Sequence, residues 1–270
     1  MFLEIRIAIL LLFLIITSYT DIKERIVPDK LVYAFIAIGL LLNLYEQDFF
    51  SIGLGAAIFI LGLAAYYTGV FGGGDIKAFA GIVLILPFYE GHLFFIHNLI
   101  LAALFTLTFY SIYYSSKLFL NKKIDLSKSK KELAFGALFT FLLAVNFYLL
   151  SSFFSLQQLL IFFIPMFSAM PFMIFQKQIK KEFFLRNISL SKLDEDEVIA
   201  LEFLPESFPA SIKKNFLLKK VITDSDKKLL KKKGIDSVPV FQHMPAFMPM
   251  VLLSAIVILI NPDVLSILVL

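Results

Sequence analysis

The chain has 270 residues, of which 59% are hydrophobic and 17% charged, with a net charge of +4. A soluble domain carries about 45–50% apolar and about 25% charged residues, so this composition excludes a soluble globular protein and a disordered one alike. It contains no cysteine, which excludes disulfides, thiolate zinc sites and a cysteine nucleophile.

A membrane span needs about 17–25 mostly apolar residues. In chain order, the candidate stretches are 2–19, 31–45, 52–70, 76–89, 93–120, 133–150, 156–175 and 246–260. The first has the look of a signal peptide but lacks a basic leader and a small-residue cleavage site, so it reads as a retained helix. The fourth is short, reaching about 22 Å at about 1.5 Å per residue against a hydrocarbon core of about 30 Å. Either it starts inside the membrane or the loop before it dips inward. The expected fold is an all-α polytopic membrane protein of about eight transmembrane helices, with a small cytoplasmic α/β insertion before the last helix. The expected divisions are a membrane core over 1–175, the insertion over 176–243, and a final helix with its tail over 244–270.

Eight spans put residues 20–30, 71–77, 117–132 and 176–243 on one side. That side holds 24 of the 25 Lys and Arg and 16 of the 21 acids, a net of +8. Cytoplasmic loops are enriched in Lys and Arg, so this side is expected to be cytoplasmic and both ends of the chain outside.

Within the insertion, 198–204 and 238–241 read as short strands. Thr223 and Asp226 form a capping box that opens a helix, and Gly234 stands where a C-cap glycine belongs. The lysine runs at Lys213, Lys214, Lys219, Lys220 and Lys231–Lys233 suit anionic lipid headgroups, or are simply a solvated face. No nucleic-acid recognition motif is present.

Ionisable groups at membrane depth are costly, and two stand out. Asp21 closes the first helix, and Asp75 opens the fourth after Gly72, Gly73 and Gly74. Both fall on the basic side. Carboxylates a few ångströms apart share a proton, so one can take a proton from water while the other donates to a carbonyl oxygen. The helix-start position of Asp75 favours it as the base, with Asp21 as the acid. The glycines are expected to supply backbone angles closed to other residues and close approach for a peptide. The plain alternatives are a tight turn with Asp75 as its cap, an interfacial Asp21 beside Lys23 and Arg25, and Asp29 as the cap of the second helix.

These residues resemble the GxGD-type aspartyl peptidases that process type IV prepilins and archaeal preflagellins. Gly72-Gly73-Gly74-Asp75-Ile76-Lys77 is similar to that family's second motif. Asp21, Lys23, Val27-Pro28-Asp29 and Leu31 have the spacing of the first, with Val27 and Asp29 as departures from the common Ile-Pro-Asn. The resemblance is best over residues 1–90. It implies Asp21 and Asp75 as the catalytic dyad, with Gly72–Gly74, Lys23, Pro28 and Lys77 supporting it, and no cofactor or metal. It implies prepilin or preflagellin precursors as substrates, cut at the cytoplasmic face. The cysteine-bearing segment tied to N-methylation in bacterial members is missing here, so no methyltransferase activity is expected. Residues 194–199 and 221–250 are similar to a C-terminal extension of the archaeal branch. The basic face would not attract a basic leader, so substrate recognition is expected to rest on the hydrophobic segment and on local acids such as Glu24 and Asp29.

Other protease chemistries fail on residue types. His92, His97 and His243 neither form a zinc-binding H-E-x-x-H cluster nor accompany a G-x-S-x-G serine motif. The alternative from another class is a proton- or ion-coupled transporter, which predicts paired helix breaks in the two halves of the chain. A membrane scaffold, tolerant of Asn at both aspartates, is the third.

Overall fold

The structure is a computed structural model that describes residues 2–69, 72–121, 124, 130–193, 197–205, 208, 216, 220–242 and 244–264. The helices before the insertion are α1 (Phe2–Glu24), α2 (Asp29–Glu46), α3 (Phe49–Tyr67), α4 (Gly73–Ile85), α5 (Phe94–Leu120), α6 (Lys130–Leu150) and α7 (Leu156–Ile179). A hairpin of β1 (Phe88–Tyr89) and β2 (His92–Leu93) joins α4 to α5. A π-helical turn at Lys180–Phe184 then leads into β3 (Leu185–Ser189), β4 (Val198–Ile199), α8 (Asp224–Lys232), β5 (Ser237–Phe241) and α9 (Met248–Ile260).

Each apolar stretch of the sequence contains a helix, and the chain is a mostly helical membrane protein. Among the described residues, five helical stretches are long and apolar enough to cross a membrane: Phe2–Glu24, Phe49–Tyr67, Phe94–Leu120, Lys130–Leu150 and Leu159–Phe184. Of the others, α2 carries Asp29, Lys30 and Glu46 among its 18 residues, and α4 and α9 have 13 residues each. Large apolar side chains such as Leu12, Leu41, Leu61, Phe141 and Tyr148 stand exposed along the helices, as a lipid-facing surface requires.

The chain divides into two compact units. One comprises Met1–Phe95 with Phe184–Leu252. In it α4 packs chiefly against α2 and α3 and also touches α1, and its residues Ile76 and Ala78–Ile85 are buried. Small residues allow this close approach. A Cβ on Gly81 would sit 2.5 Å from the Phe35 ring.

The fourth helix is shorter than the sequence reading had it. It stops at Ile85 rather than running to residue 89. Leu86 precedes Pro87, which disfavours helical angles at Leu86, and Leu86 is extended with φ −138°. Glu90 and Gly91, at φ 47° and 83°, then make the tight turn of the hairpin.

The end of α4 is satisfied by side chains from other helices. Arg6, only 6% exposed, donates to the carbonyls of Leu84 (3.2 Å) and Ile85 (2.6 Å), to Asn43 Oδ1 (2.9 Å) and to Glu46 Oε2 (2.9 Å). Asn43 Nδ2 donates to the Leu84 carbonyl at 2.8 Å. A cation at a helix C-terminus offsets the negative end of its dipole, and these donors replace water for carbonyls that have no partner inside the helix.

The rest of this unit is a three-stranded antiparallel sheet, in order β3-β5-β4. It is closed by α8 over a core of Leu193, Ile199, Phe216, Ile222, Leu230, Val238 and Val240. The Thr223–Asp226 capping box and the left-handed Gly234 (φ 73°) stand as expected. The strand expected over 198–204 does not: it lasts two residues and turns into a 3₁₀ helix at Leu201–Phe203. β3 has a polar sequence, LRNIS, without the alternation that marks a strand. Lys213, Lys214, Lys219, Val70, Asp194 and His243 lie outside the described residues.

The second unit comprises Ile96–Phe183 with Leu253–Leu270. Leu143, Leu159 and Phe163 form an apolar cluster between α6 and α7. Asn98 Nδ2 donates to Ser254 Oγ at 2.8 Å, tying α5 to the later part of α9.

Candidate active site

Asp21 lies in the last turn of α1 and is buried, at 8% exposed. α1 ends just beyond it, where Arg25 turns left-handed (φ 58°) and its N–H donates to the Asp21 carbonyl at 3.1 Å. Asp75 lies in the first turn of α4, where Gly72 is the N-cap and Gly73 the first helical residue. It is therefore the third helical residue rather than the cap, and its carboxylate folds back over Gly72, where a Cβ would lie 3.2 Å from Asp75 Oδ2. The carboxylates of Asp21 and Asp75 lie within Coulombic reach of each other.

The Asp21 carboxylate has a partner that no local motif announces. Its Oδ2 accepts the backbone N–H of Met248, the first residue of α9, at 2.9 Å in a buried setting. Both aspartates thus lie at a helix start, Asp75 in the first turn of α4 and Asp21 against that of α9, so the helix dipole does not distinguish one from the other as base. The Met-Pro-Ala-Phe-Met-Pro run over 244–249 was the available sequence signal, since Pro245 and Pro249 mark a helix start.

The supporting residues are placed as follows. Gly72 has ordinary extended angles (φ −71°, ψ 150°). Among the described glycines only Gly69, Gly91 and Gly234 have positive φ, so unusual backbone angles are not what Gly72–Gly74 provide. Space is the reason at Gly74, where a Cβ would meet Val27 Cβ at 3.0 Å and the Val27 carbonyl oxygen at 3.4 Å. Val27 belongs to the first motif, so this glycine lets the two motifs touch. Pro28 is the N-cap of α2. Lys77 makes a second link, with Nζ 2.6 Å from Asp29 Oδ1 and 5.2 Å from the centre of the Tyr33 ring. Asp29 is thus the first helical residue of α2 and an ion-pair partner across the motifs, rather than the cap expected of it. Lys23 is exposed, 3.8 Å from Glu24 and over the Tyr19 ring. Glu24 and Asp29, the acids considered for substrate contact, therefore each have a lysine neighbour.

The insertion sits beside the strand of chain that leads into the glycines. The N–H of Lys220 donates to the Tyr67 carbonyl at the end of α3 at 3.2 Å. Gly69 adopts φ 70°, and a Cβ there would lie 3.2 Å from both Lys220 and Val198.

Fold and site together define a multi-pass helical membrane protein with two carboxylates within Coulombic reach of each other, one in the last turn of its first helix and one in the first turn of its fourth. Residues 8–107, which include both aspartates, match the model of the type IV leader peptidase family. Two relatives are each described as prepilin peptidase EppA. That of Methanothermobacter thermautotrophicus is 38% identical over 79 residues, covering 26% of this chain and 20% of the relative. That of Methanocaldococcus jannaschii is 35% identical over 88 residues, covering 33% and 25%. The resemblance to prepilin-processing peptidases is thus shown over the first part of the chain, and the match spans only a fifth to a quarter of those relatives' length. No solved structure matches the chain.

Proposed function

We propose that this protein is an intramembrane aspartyl endopeptidase that removes the basic leader from type IV prepilin-like or preflagellin precursors at the cytoplasmic membrane face. Asp21 and Asp75 are its catalytic pair. The observation that carries this reading is that two buried acids from separate motifs lie within Coulombic reach of each other, inside the region that resembles leader peptidases. In the reaction, the ionised carboxylate accepts a proton from water as the oxygen attacks the scissile carbonyl. The protonated carboxyl donates to the carbonyl oxygen, and the collapsing intermediate passes a proton to the leaving nitrogen. The shared proton belongs to the pair. No cofactor or metal enters the scheme.

The eight-span arrangement belongs to this proposal, with the basic loops and residues 176–243 on the cytoplasmic side. It rests on the distribution of Lys and Arg. So does contact of that face with anionic lipid.

The test is cleavage of prepilin-like peptides with basic leaders by the full chain in liposomes, with a metal chelator present. Wild type should cleave. Asp21→Asn and Asp75→Asn should each lower kcat by at least about a thousandfold, since general acid–base catalysis alone contributes about 10²–10⁴ and a dyad acts as a unit. Undiminished cleavage by either variant overturns the mechanism.

A further inference from the structure

We propose that the segment Ala246–Met248, far from both motifs in sequence, is a positioning element of the active site that holds Asp21 through the backbone N–H of Met248. This deepens the peptidase reading and rests on it. Met248 N–H donates to Asp21 Oδ2 at 2.9 Å, across 227 residues of sequence. The Phe247 ring packs edge-on against Phe79 at 5.8 Å, and Phe79 lies one helical turn beyond Asp75 on α4. One short segment therefore touches α1 at one aspartate and α4 next to the other. Ala246 and Met248 are buried, at 2% and 0% exposed.

The segment is anchored at both ends. Behind it, β5 is the central strand of the insertion's sheet, and the Gln242 N–H donates to the Phe184 carbonyl at 2.9 Å. The Gln242 side chain also donates to Glu197. Ahead of it, α9 begins at Met248, with Val251 and Ala255 fully buried. A carboxylate at the end of a helix otherwise has free rotation about its side-chain torsions. With Oδ2 bound to a fixed backbone donor, that rotation is restricted and the carboxylate is held in one orientation. The insertion thereby gains a role: it sets where this segment begins.

Two arms test the inference in the full chain. The first is amide hydrogen exchange. Asp21→Ala should speed exchange at the Met248 amide by about tenfold or more, the worth of a hydrogen bond to a charged group. Asp21→Asn, whose side-chain oxygen still caps, should largely keep the protection, and Asp75→Asn should leave it unchanged. An unchanged Met248 amide in Asp21→Ala overturns the contact. The second arm is cleavage by Met248→Pro, which deletes the donor at the first helical position, where proline is tolerated. kcat should fall about tenfold or more with KM unaltered, and Met248→Leu, which keeps the N–H and similar bulk, should restore it. Wild-type kcat in Met248→Pro overturns the positioning role. If wild type cleaves no leader peptide, the peptidase reading fails, and the exchange arm still decides whether the segment holds Asp21.

Discussion

Arg6 at the buried end of α4 offers a quantitative test of how the fourth helix is held. Replacing it by Met keeps an unbranched apolar stem and deletes the guanidinium. Leu84's carbonyl retains Asn43 Nδ2 at 2.8 Å. Ile85's carbonyl and Asn43 Oδ1 lose the Arg6 donors at 2.6 and 2.9 Å. Glu46, with a side chain one-third exposed, can turn to water. Two buried acceptors stripped of a charged donor cost about 1–3 kcal/mol each, and the released cost of burying the guanidinium offsets part of this. The expected loss is about 3 kcal/mol, close to a 150-fold fall in the folded-to-unfolded ratio. Equilibrium unfolding in mixed micelles measures it. Arg6→Lys should recover less than half, because an ammonium cannot span acceptors on two helices as a planar fork does. Glu46→Gln should cost under about 1 kcal/mol, since its partner keeps three other acceptors. A loss below about 1 kcal/mol for Arg6→Met would refute the view that Arg6 satisfies the end of α4.

Gly74→Ala should abolish most cleavage and destabilise by about 1–3 kcal/mol, because its Cβ would press on Val27; Gly53→Ala, where nothing lies within 4 Å, should stabilise by about 0.5–1 kcal/mol, and paired unfolding curves compare the two. Asp48 caps α3 through Ser51, so Asp48→Ala should cost about 1 kcal/mol. The Ser51 hydroxyl, and then its N–H, hold the Asp48 carboxyl below the ordinary carboxylate value. Its contribution is therefore fully present above about pH 4, the unfolded value, and is lost as pH falls through the lower folded value; Asp48→Asn should flatten that part of an unfolding-versus-pH curve. For the Lys77–Asp29 pair, whose side chains are 24% and 58% exposed, a double-mutant cycle should give a coupling under about 1 kcal/mol.

The amino-acid sequence by itself determined where apolar helices form, because burial in lipid needs only unbroken runs of apolar side chains. It also marked the two aspartates, since acids beside such runs are rare and their spacing with Pro28 and Gly72–Gly74 is distinctive. Capping chemistry at Thr223, Asp226 and Gly234 was legible for the same reason: each acts within a few residues of itself. What was not legible depends on partners distant along the chain. The short fourth helix was visible as a puzzle, but its resolution lay in Arg6 and Asn43, which the sequence presents as one surface charge and one ordinary amide. The need for glycine at position 74 comes from Val27, 47 residues earlier, and not from its own torsions. The 198–204 strand misled because β-branched and aromatic residues signal a strand wherever they stand, whereas ladder pairing ended after Ile199. Only the tertiary structure could bring Met248 to Asp21: a backbone N–H has no identity in sequence, and its meaning is decided by the carboxylate folded against it.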